Sequence, residues 1–430
     1  METSLLLSTA RIVLPDRVLE RGWLLVEGDR IAGVYAERPA SIAGSTVDYD
    51  LTGLTLFPGF IDMHIHGAVG VDTMAATAEE LARVSEFLAT QGVTAWLPTL
   101  VPGPSEQYAR SIGSIAELMN TQREHWDRGR PARPAPSGPT GQGFLKVRSG
   151  GDSLRAGRPR SQQEQARVLG VHYEGPFVNS DQCGALHRDY FRTFSSGVEL
   201  GDLATITAPG AIHMMTMAPE IDGGIELVRE LSRRGWIVSI GHTRADVELL
   251  DCACEAGARH LTHFMNAMPP LHQRAPGPVG WGLLRDDVTC DLIADGIHLD
   301  RMTLRLLQRL KTPARLSLIS DAIAATGLGD GDYEIWGETI SVSAGRTQNS
   351  HGSIAGSVIT MLDAVRLMRS LGTSEVEVAL MASTNPARLL RIDNECGSIE
   401  ARKRADLVGL DQDGNVRFTM VGGEVFGTRS

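Results

Sequence analysis

Cysteine is scarce in this chain: five in 430 residues, Cys183, Cys252, Cys254, Cys290 and Cys396. The number is odd, no CxxC occurs, and most of the five sit in apolar or helical context. This argues against a disulfide framework and for reduced thiols in a cytosolic setting. Long hydrophobic runs are missing too. None approaches the roughly 20 apolar residues that a helix needs to span a bilayer, so no membrane partner is expected. The amino-terminal METSLLLSTARIV holds a three-leucine run with no basic region before it, too short for a signal peptide. A cytoplasmic location is the expectation. Positive charge is in deficit as well, 41 Lys and Arg against 52 Asp and Glu, a net charge of -11. That balance speaks against a general nucleic-acid surface and an anionic membrane, while leaving room for capture of a small anion by one or two placed basic groups.

What is present is an ordinary globular composition, 42% hydrophobic and 22% charged, in a length that suits one large barrel with a small accessory domain or two to three ordinary domains. Residues 1–57 alternate in short β-like runs (ARIVL, GWLLVEGDRIAGV, LTLFP) broken by Gly, Asp and Pro, and the last stretch, 395–430, reads the same way. Two matching ends around a different middle predict one small β-sandwich built from both termini. The middle, 58–394, alternates apolar runs with helical patterns, which predicts a parallel sheet. Eight candidate strands lie near 58–66, 93–100, 168–174, 211–217, 236–242, 259–263, 289–295 and 316–321. Segments such as TAEELARVSEFLATQG and ADVELLDCACEAG carry helix-period apolar residues and stop at Gly92 and Gly257. Eight such strands favour an α/β fold of the (β/α)8 TIM type over an open sheet. One segment, 128–163, rich in Pro, Gly, Ser and Arg, breaks the rhythm. It reads as a flexible insertion before the third strand, or less simply as a basic arm.

The stretch PGFIDMHIHGAVGVDTM, residues 58–74, places His64 and His66 two residues apart at the end of an apolar run. In a strand, residues i and i+2 share a face, so both rings can converge on one ion. An HxH pair is a modest signal alone. The layout recurs, however, with apolar β-branched runs ending at Glu174, His242, His263 and Asp321. His242 and His263 are 21 residues apart, about one helix, one strand and their loops. In (β/α)8 barrels the working groups lie at the carboxyl ends of strands, where these residues fall.

Imidazoles and a carboxylate are ligands for Zn²⁺ or a similar divalent ion, Fe²⁺ included. Glu174 could bind one ion or bridge two. Such an ion lowers the pKa of bound water to about 7, supplying hydroxide near neutral pH. Asp321 is placed to take a proton from that water and hand it to a leaving group. It also reads as an N-cap before AIAATG.

PGFIDMHIHG, HYEGPFVN, SIGHT, THFMNAMPP, ISDAIAATG, SIAGSVITM, STNPARLL and GSIEARKRADLV together resemble the N-acetylglucosamine-6-phosphate deacetylases, a branch of the amidohydrolase superfamily. The resemblance runs from about residue 10 to the end, apart from the insertion. It implies a metal-dependent barrel, a homodimer, and hydrolysis of an N-acetyl group from N-acetylglucosamine 6-phosphate in amino-sugar catabolism. By it, Glu174, His242 and His263 hold the principal metal, His64 and His66 serve a second ion, and Asp321 is the acid/base. Family members contain one ion or two, Zn²⁺ being the expected metal.

The resemblance also carries sugar-phosphate contacts onto Asn266, Ala267 and Arg274. It does the same for His298 with Asp295, Gly296 and Ile297, and for the backbone of Ile354, Ala355 and Gly356. Arg274 suits phosphate by its planar fork of donors, and it equally suits a rim salt bridge. At GALH, residues 184–187, the chain departs from the family pattern of Gly, a small residue (here Ala185) and then His, because Leu186 is extra. His187 is expected to stabilise the developing oxyanion or, on the plainer reading, to sit on a longer surface loop. A deacetylase of N-acetylgalactosamine 6-phosphate or another acylamino sugar would keep the same site. A non-catalytic binding protein on the same barrel would require lost ligands, and none is lost.

Overall fold

The computed structural model describes residues 4–40, 45–128, 165–197 and 199–426. All but the first residue of the 128–163 insertion lies outside them.

Each of the eight expected barrel strands forms: Phe60–Ile65, Val93–Leu100, Gly170–Glu174, Ile212–Met217, Ile237–Ile240, His260–Leu261, Thr289–Ile293 and Leu316–Ile319. Each pairs in parallel with the next. The ring draws shut between the eighth and the first. The Asp321 N–H donates to the His64 carbonyl at 2.9 Å and the His66 N–H to the Ala322 carbonyl at 2.7 Å. Closure therefore runs through two expected metal ligands and the expected acid/base.

The strands are buried from end to end, as in VTAWLPTL, because parallel sheets of this kind are covered on both faces. Period-two alternation sorts their side chains. Trp96, Met215, Val238, Leu292 and Leu318 join the core beneath the helices, while their neighbours Leu97, Met214, Ile237, Ile293 and Ile319 form a separate cluster. Covering helices start and stop as the residues dictate. Ala78–Thr90 opens on Thr77, whose hydroxyl accepts from the Glu80 N–H while the Glu80 carboxylate accepts in return, and it ends before Gly92 at φ +80°. Val247–Ala256 is capped by Asp246 and ends at Gly257, φ +124°.

Both chain ends meet in one hydrogen-bonded sheet, apart from the barrel. Its order is Glu424–Phe426, Val416–Val421, Leu407–Leu410, Thr55–Pro58, Ser4–Val13, Val18–Glu27 and Arg30–Tyr35, with Thr46–Asp50 beside Ser4–Val13. Leu7, Ile12, Leu24, Leu56, Leu407 and Phe418 form its separate core. A small antiparallel sheet, Gly331–Ile335, Glu338–Ser343 and Arg346–Gln348, is inserted after the eighth barrel strand. Its first turn contains Trp336, which bears on the site. No helix among the described residues is long and apolar enough to cross a membrane.

Candidate metal centre

Alternation along the first strand brings Asp62, His64 and His66 to one face, and strand ends deliver the other groups. His64 Nε2 and His66 Nε2 lie 3.2 Å apart. Glu174 links them to the second pair: its Oε2 is 3.2 Å from His66 Nε2, and its Oε1 is 2.9 Å from His242 Nε2 and 3.0 Å from His263 Nε2. The Nε2 atoms of His242 and His263 are 3.1 Å apart. Asp321 Oδ1 closes the far side, 3.4 Å from His64 Nε2 and 3.2 Å from His66 Nε2. All six residues are buried. Two groups could hold a metal ion, His64 with His66 and Glu174, and Glu174 with His242 and His263. Glu174 is common to both.

Whether this donor set fits a cation is decided by its protons. His242 Nδ1 lies 2.7 Å from the Gln182 carbonyl, which can only accept, so in the neutral ring Nε2 bears a lone pair. That lone pair faces a carboxylate oxygen and a second imidazole nitrogen. Acceptors crowded together in a buried site repel unless a cation lies among them. Two ligands of a tetrahedral Zn²⁺ at about 2.0–2.1 Å stand about 3.3 Å apart, near the separations here. The residues fit the group.

The fields act in the same direction. Burial opposes a charged ring at His66, yet Asp321 and Glu174 outweigh it and push its pKa up to about 10. At His263, burial is likewise outweighed, chiefly by Glu174, and the pKa rises to about 9. Burial would raise the carboxyl pKa of Glu174, but His64, His242 and His263 hold it well below the usual range. Asp321 is lowered too, against burial, by His64 and then His66. The site favours positive charge beside two ionised carboxylates.

Backbone strain accompanies this arrangement. His242, His263 and Asp321 have φ of +49°, +31° and +51°, in the left-handed region that non-glycine residues seldom enter. Gly356 shows what the packing around Asp321 requires: a Cβ there would lie 2.9 Å from the Asp321 carbonyl oxygen and 2.6 Å from Ile323 Cγ2, with φ already +56°.

A supporting ring of residues is absent from the sequence-based list. Asp62 accepts from the Ser320 hydroxyl at 2.6 Å and from its N–H at 3.2 Å. His172 lies 4.6 Å from His64, ring centre to ring centre, and bonds Thr216 Oγ1 at 2.8 Å. Asp291 accepts from the His263 N–H and lies 3.0 Å from His260 Nε2. Trp336 meets His66 edge to face at 5.2 Å. A signal existed for two of these, because Asp62 and His172 stand two residues before His64 and Glu174 in strands of period two.

The remaining expected residues divide. Gly184, φ +59°, sits against His242: a Cβ there would be 3.6 Å from His242 Cε1. Ala185 packs against the apolar cluster of Ile323, Ala355 and the small sheet. The extra Leu186 is buried in the main core, and His187 is half-buried with Nε2 2.8 Å from the Trp336 carbonyl. That carbonyl takes the Nε2 proton, so His187 is tied to the hairpin turn rather than free on a surface loop. Asn266 Nδ2 donates to the His263 carbonyl at 3.1 Å, and the Ala267 carbonyl accepts from the Thr243 N–H at 3.3 Å. Asp295 accepts from the N–H groups of Ile297 and His298, both at 2.8 Å, and its other oxygen lies 2.6 Å from His298 Nδ1, with Gly296 at φ +78° making the turn. Ala355 and Gly356 are pinned by Thr347, whose hydroxyl donates to the Gly356 carbonyl at 2.6 Å and lies 3.3 Å from the Ala355 N–H; Ile354 is half-buried beside them. Arg274 is exposed, and its guanidinium has no ion pair among the described residues.

Residues 155–426 match the model of the amidohydrolase family. The chain is 34% identical to N-acetylglucosamine-6-phosphate deacetylase of Bacillus subtilis over 99% of this chain and 98% of that protein. It is 32% identical to N-acetylgalactosamine-6-phosphate deacetylase of Escherichia coli O157:H7 over 94% and 96%. The structure of a mutant N-acetyl-D-glucosamine-6-phosphate deacetylase from Mycobacterium smegmatis, in complex with N-acetyl-D-glucosamine-6-phosphate, superposes with a TM-score of 0.80 at 29% identity, covering 98% of this chain and 99% of that one. With a barrel of this order and a site of this composition, the chain belongs to the amidohydrolase family, in its branch of N-acetylglucosamine-6-phosphate deacetylases.

Proposed function

We propose that the protein removes the N-acetyl group of N-acetylglucosamine 6-phosphate, giving glucosamine 6-phosphate and acetate. The observation that carries the reading is the pair of metal-capable groups sharing Glu174, with Asp321 against His64 and His66. Glu174, His242 and His263 would hold one divalent ion, and His64 and His66 with Glu174 a second. Bound there, Zn²⁺ or a similar ion would supply Lewis-acid polarisation of a carbonyl and acidify water.

The chain's own groups do the rest. Asp321, kept ionised by the imidazoles, accepts the proton of the attacking water and returns it to the amine nitrogen as the C–N bond breaks. An amide nitrogen leaves poorly unless protonated, so this carboxylate is essential. His187 bonds the Trp336 carbonyl, and serving as an oxyanion donor requires it to exchange that carbonyl for the substrate. Asp295 fixes the His298 ring through Nδ1, leaving Nε2 for a sugar phosphate, and Arg274 brings an unpaired guanidinium for the phosphate. Asn266 and Ala267, with Gly296 and Ile297, shape the sugar's side. Ala185 and the backbone from Ile354 through Ala355 to Gly356 line the acetamide end.

A second reading, the galacto epimer as substrate, is favoured by one relative's activity and by the extra Leu186 in the loop that carries His187. Initial rates on the two epimeric sugar phosphates and the unphosphorylated sugar separate them. Preference for the gluco phosphate supports the first reading; preference for the galacto phosphate replaces it with the second. The protein is further proposed to act as a cytoplasmic homodimer.

A further inference from the structure

The opposite end of the barrel holds a cleft of about 310 Å³ that the reaction does not use. It opens beside the amino ends of strands five to eight, where Ile237, Thr289 and Arg315 line it. Four arginines line it: Arg259, Arg315, Arg388 and Arg391. They come from separate places, the turn after Val247–Ala256, the turn before the eighth strand, the helix Asn385–Leu389 and the residue pair beyond it.

Only one lining residue is an acid, Asp287; its two oxygens accept from Arg285 at 2.8 and 2.9 Å, and its Oδ2 also lies 3.7 Å from Arg259 Nη1, so Arg259 is the one arginine of the four with a carboxylate partner in the cleft. Glu400, whose charge also interacts with Arg388, is bonded to Lys403 at 2.8 Å. Among the described residues Arg315 has neither ion pair nor hydrogen bond from its side chain. Arg391 reaches one carbonyl, that of Gly235 at 3.4 Å, and Arg388 the Asn385 side-chain oxygen at 3.5 Å.

The backbone that carries two of these arginines is tied together. Asn385, from the STNPARLL motif, donates to the carbonyls of Pro313 at 2.8 Å and Leu316 at 2.7 Å. Those carbonyls flank Arg315, so the motif that supplies Arg388 also fixes the turn that carries Arg315. Thr289 and Asn385 add neutral polar groups to the wall. In a chain of net charge -11, four exposed arginines line one cleft whose single acid is shared by Arg285 and Arg259, so the wall keeps an excess of positive charge from Arg315, Arg388 and Arg391 that an anion would offset.

We propose that this cleft is a second anion site, distinct from the metal centre, that takes a phosphate group, free or carried by a small metabolite. Arginine forks match phosphate oxygens, and the volume is that of a small-ligand pocket.

The test is calorimetric titration of inorganic phosphate into the full-length, metal-loaded protein at constant ionic strength, with chloride as the balancing anion. Wild type and Arg274→Ala, which alters the catalytic end alone, are expected to bind phosphate at the cleft alike. Arg315→Ser/Arg388→Ser is expected to weaken that site by about tenfold or more, since two forks are lost. If the double variant misfolds, Arg391→Ser at the rim is expected to weaken the site in the same direction. A parallel arm with glycerol phosphate assigns the source: tighter binding points to an ester, equal binding to the free ion. Unchanged affinity in the arginine variants, or no heat beyond that of chloride, overturns the proposal.

Discussion

At the residue scale, the proposed function rests on six buried side chains whose crowded acceptors repel one another unless a cation lies among them. Asp321→Asn keeps the shape but cannot accept a proton. It is expected to retain metal by elemental analysis while kcat falls by about 10²–10⁴-fold or more, the range of general acid–base catalysis. Near-normal turnover would remove Asp321 from the mechanism. Glu174→Gln touches both metal-capable groups at once and is expected to lower metal content as well as activity, unlike Asp321→Asn. A residue distant from the site governs a different behaviour. Burial lowers the pKa of His213, which stacks on Trp236 and accepts the Ile206 N–H at Nε2. The folded chain therefore prefers the neutral ring, so stability is retained above the unfolded value of about 6.5 and declines as pH falls below it. Thermal melts between about pH 7.5 and 5.5 are expected to show less of this decline in His213→Gln. An equal decline would assign the acid sensitivity elsewhere.

At the element scale, the strands were legible and their strained ends were not. Apolar runs punctuated by Gly and Pro mark all eight barrel strands, and polar residues at the ends of the first, third, fifth, sixth and eighth mark the proposed site, because apolar periodicity is a local property of the chain. The left-handed backbone of His242, His263 and Asp321 is invisible to such reasoning, since only packing from neighbouring strands imposes it. Trp336 escaped notice for the same reason: a hairpin inserted after the eighth strand brings it back over His66. The connected sheet formed by the two ends also depends on long-range pairing, which alternation alone does not determine. Glycines at these junctions give sharp expectations. At Gly170, φ +154°, a Cβ would lie 1.9 Å from the Ile212 carbonyl oxygen, so Gly170→Ala is expected to cost about 2 kcal/mol or more in denaturant unfolding. Gly356→Ala presses on Asp321 instead and is expected to reduce kcat more than it reduces stability. The reverse ordering would mean that the Asp321 turn tolerates displacement.

At the scale of the whole molecule, the barrel closes through the same backbone that carries the site. Strands eight and one are joined by the N–H of Asp321 and the carbonyl of His64, so the backbone that shuts the ring is the backbone that carries these side chains. Metal bound to the folded state alone should stabilise the entire barrel by mass action. Chelation is expected to lower the melting temperature and abolish activity, and both should return on adding Zn²⁺ or another suitable divalent ion. The overall charge left room for a small anion, and the sequence motifs, through their resemblance, implied a sugar phosphate. Motif resemblance, rather than periodicity, supplied the sugar-phosphate contacts, because loops such as 184–187 and 295–298 have no repeat to read. The most direct measurement of the central claim is acetate release from N-acetylglucosamine 6-phosphate by metal-loaded protein, beside its galacto epimer and the unphosphorylated sugar, with metal counted in the same sample. Rapid, metal-dependent turnover of the gluco phosphate above the other two is the expected result; a fully loaded centre that releases acetate from none of the three would contradict the account.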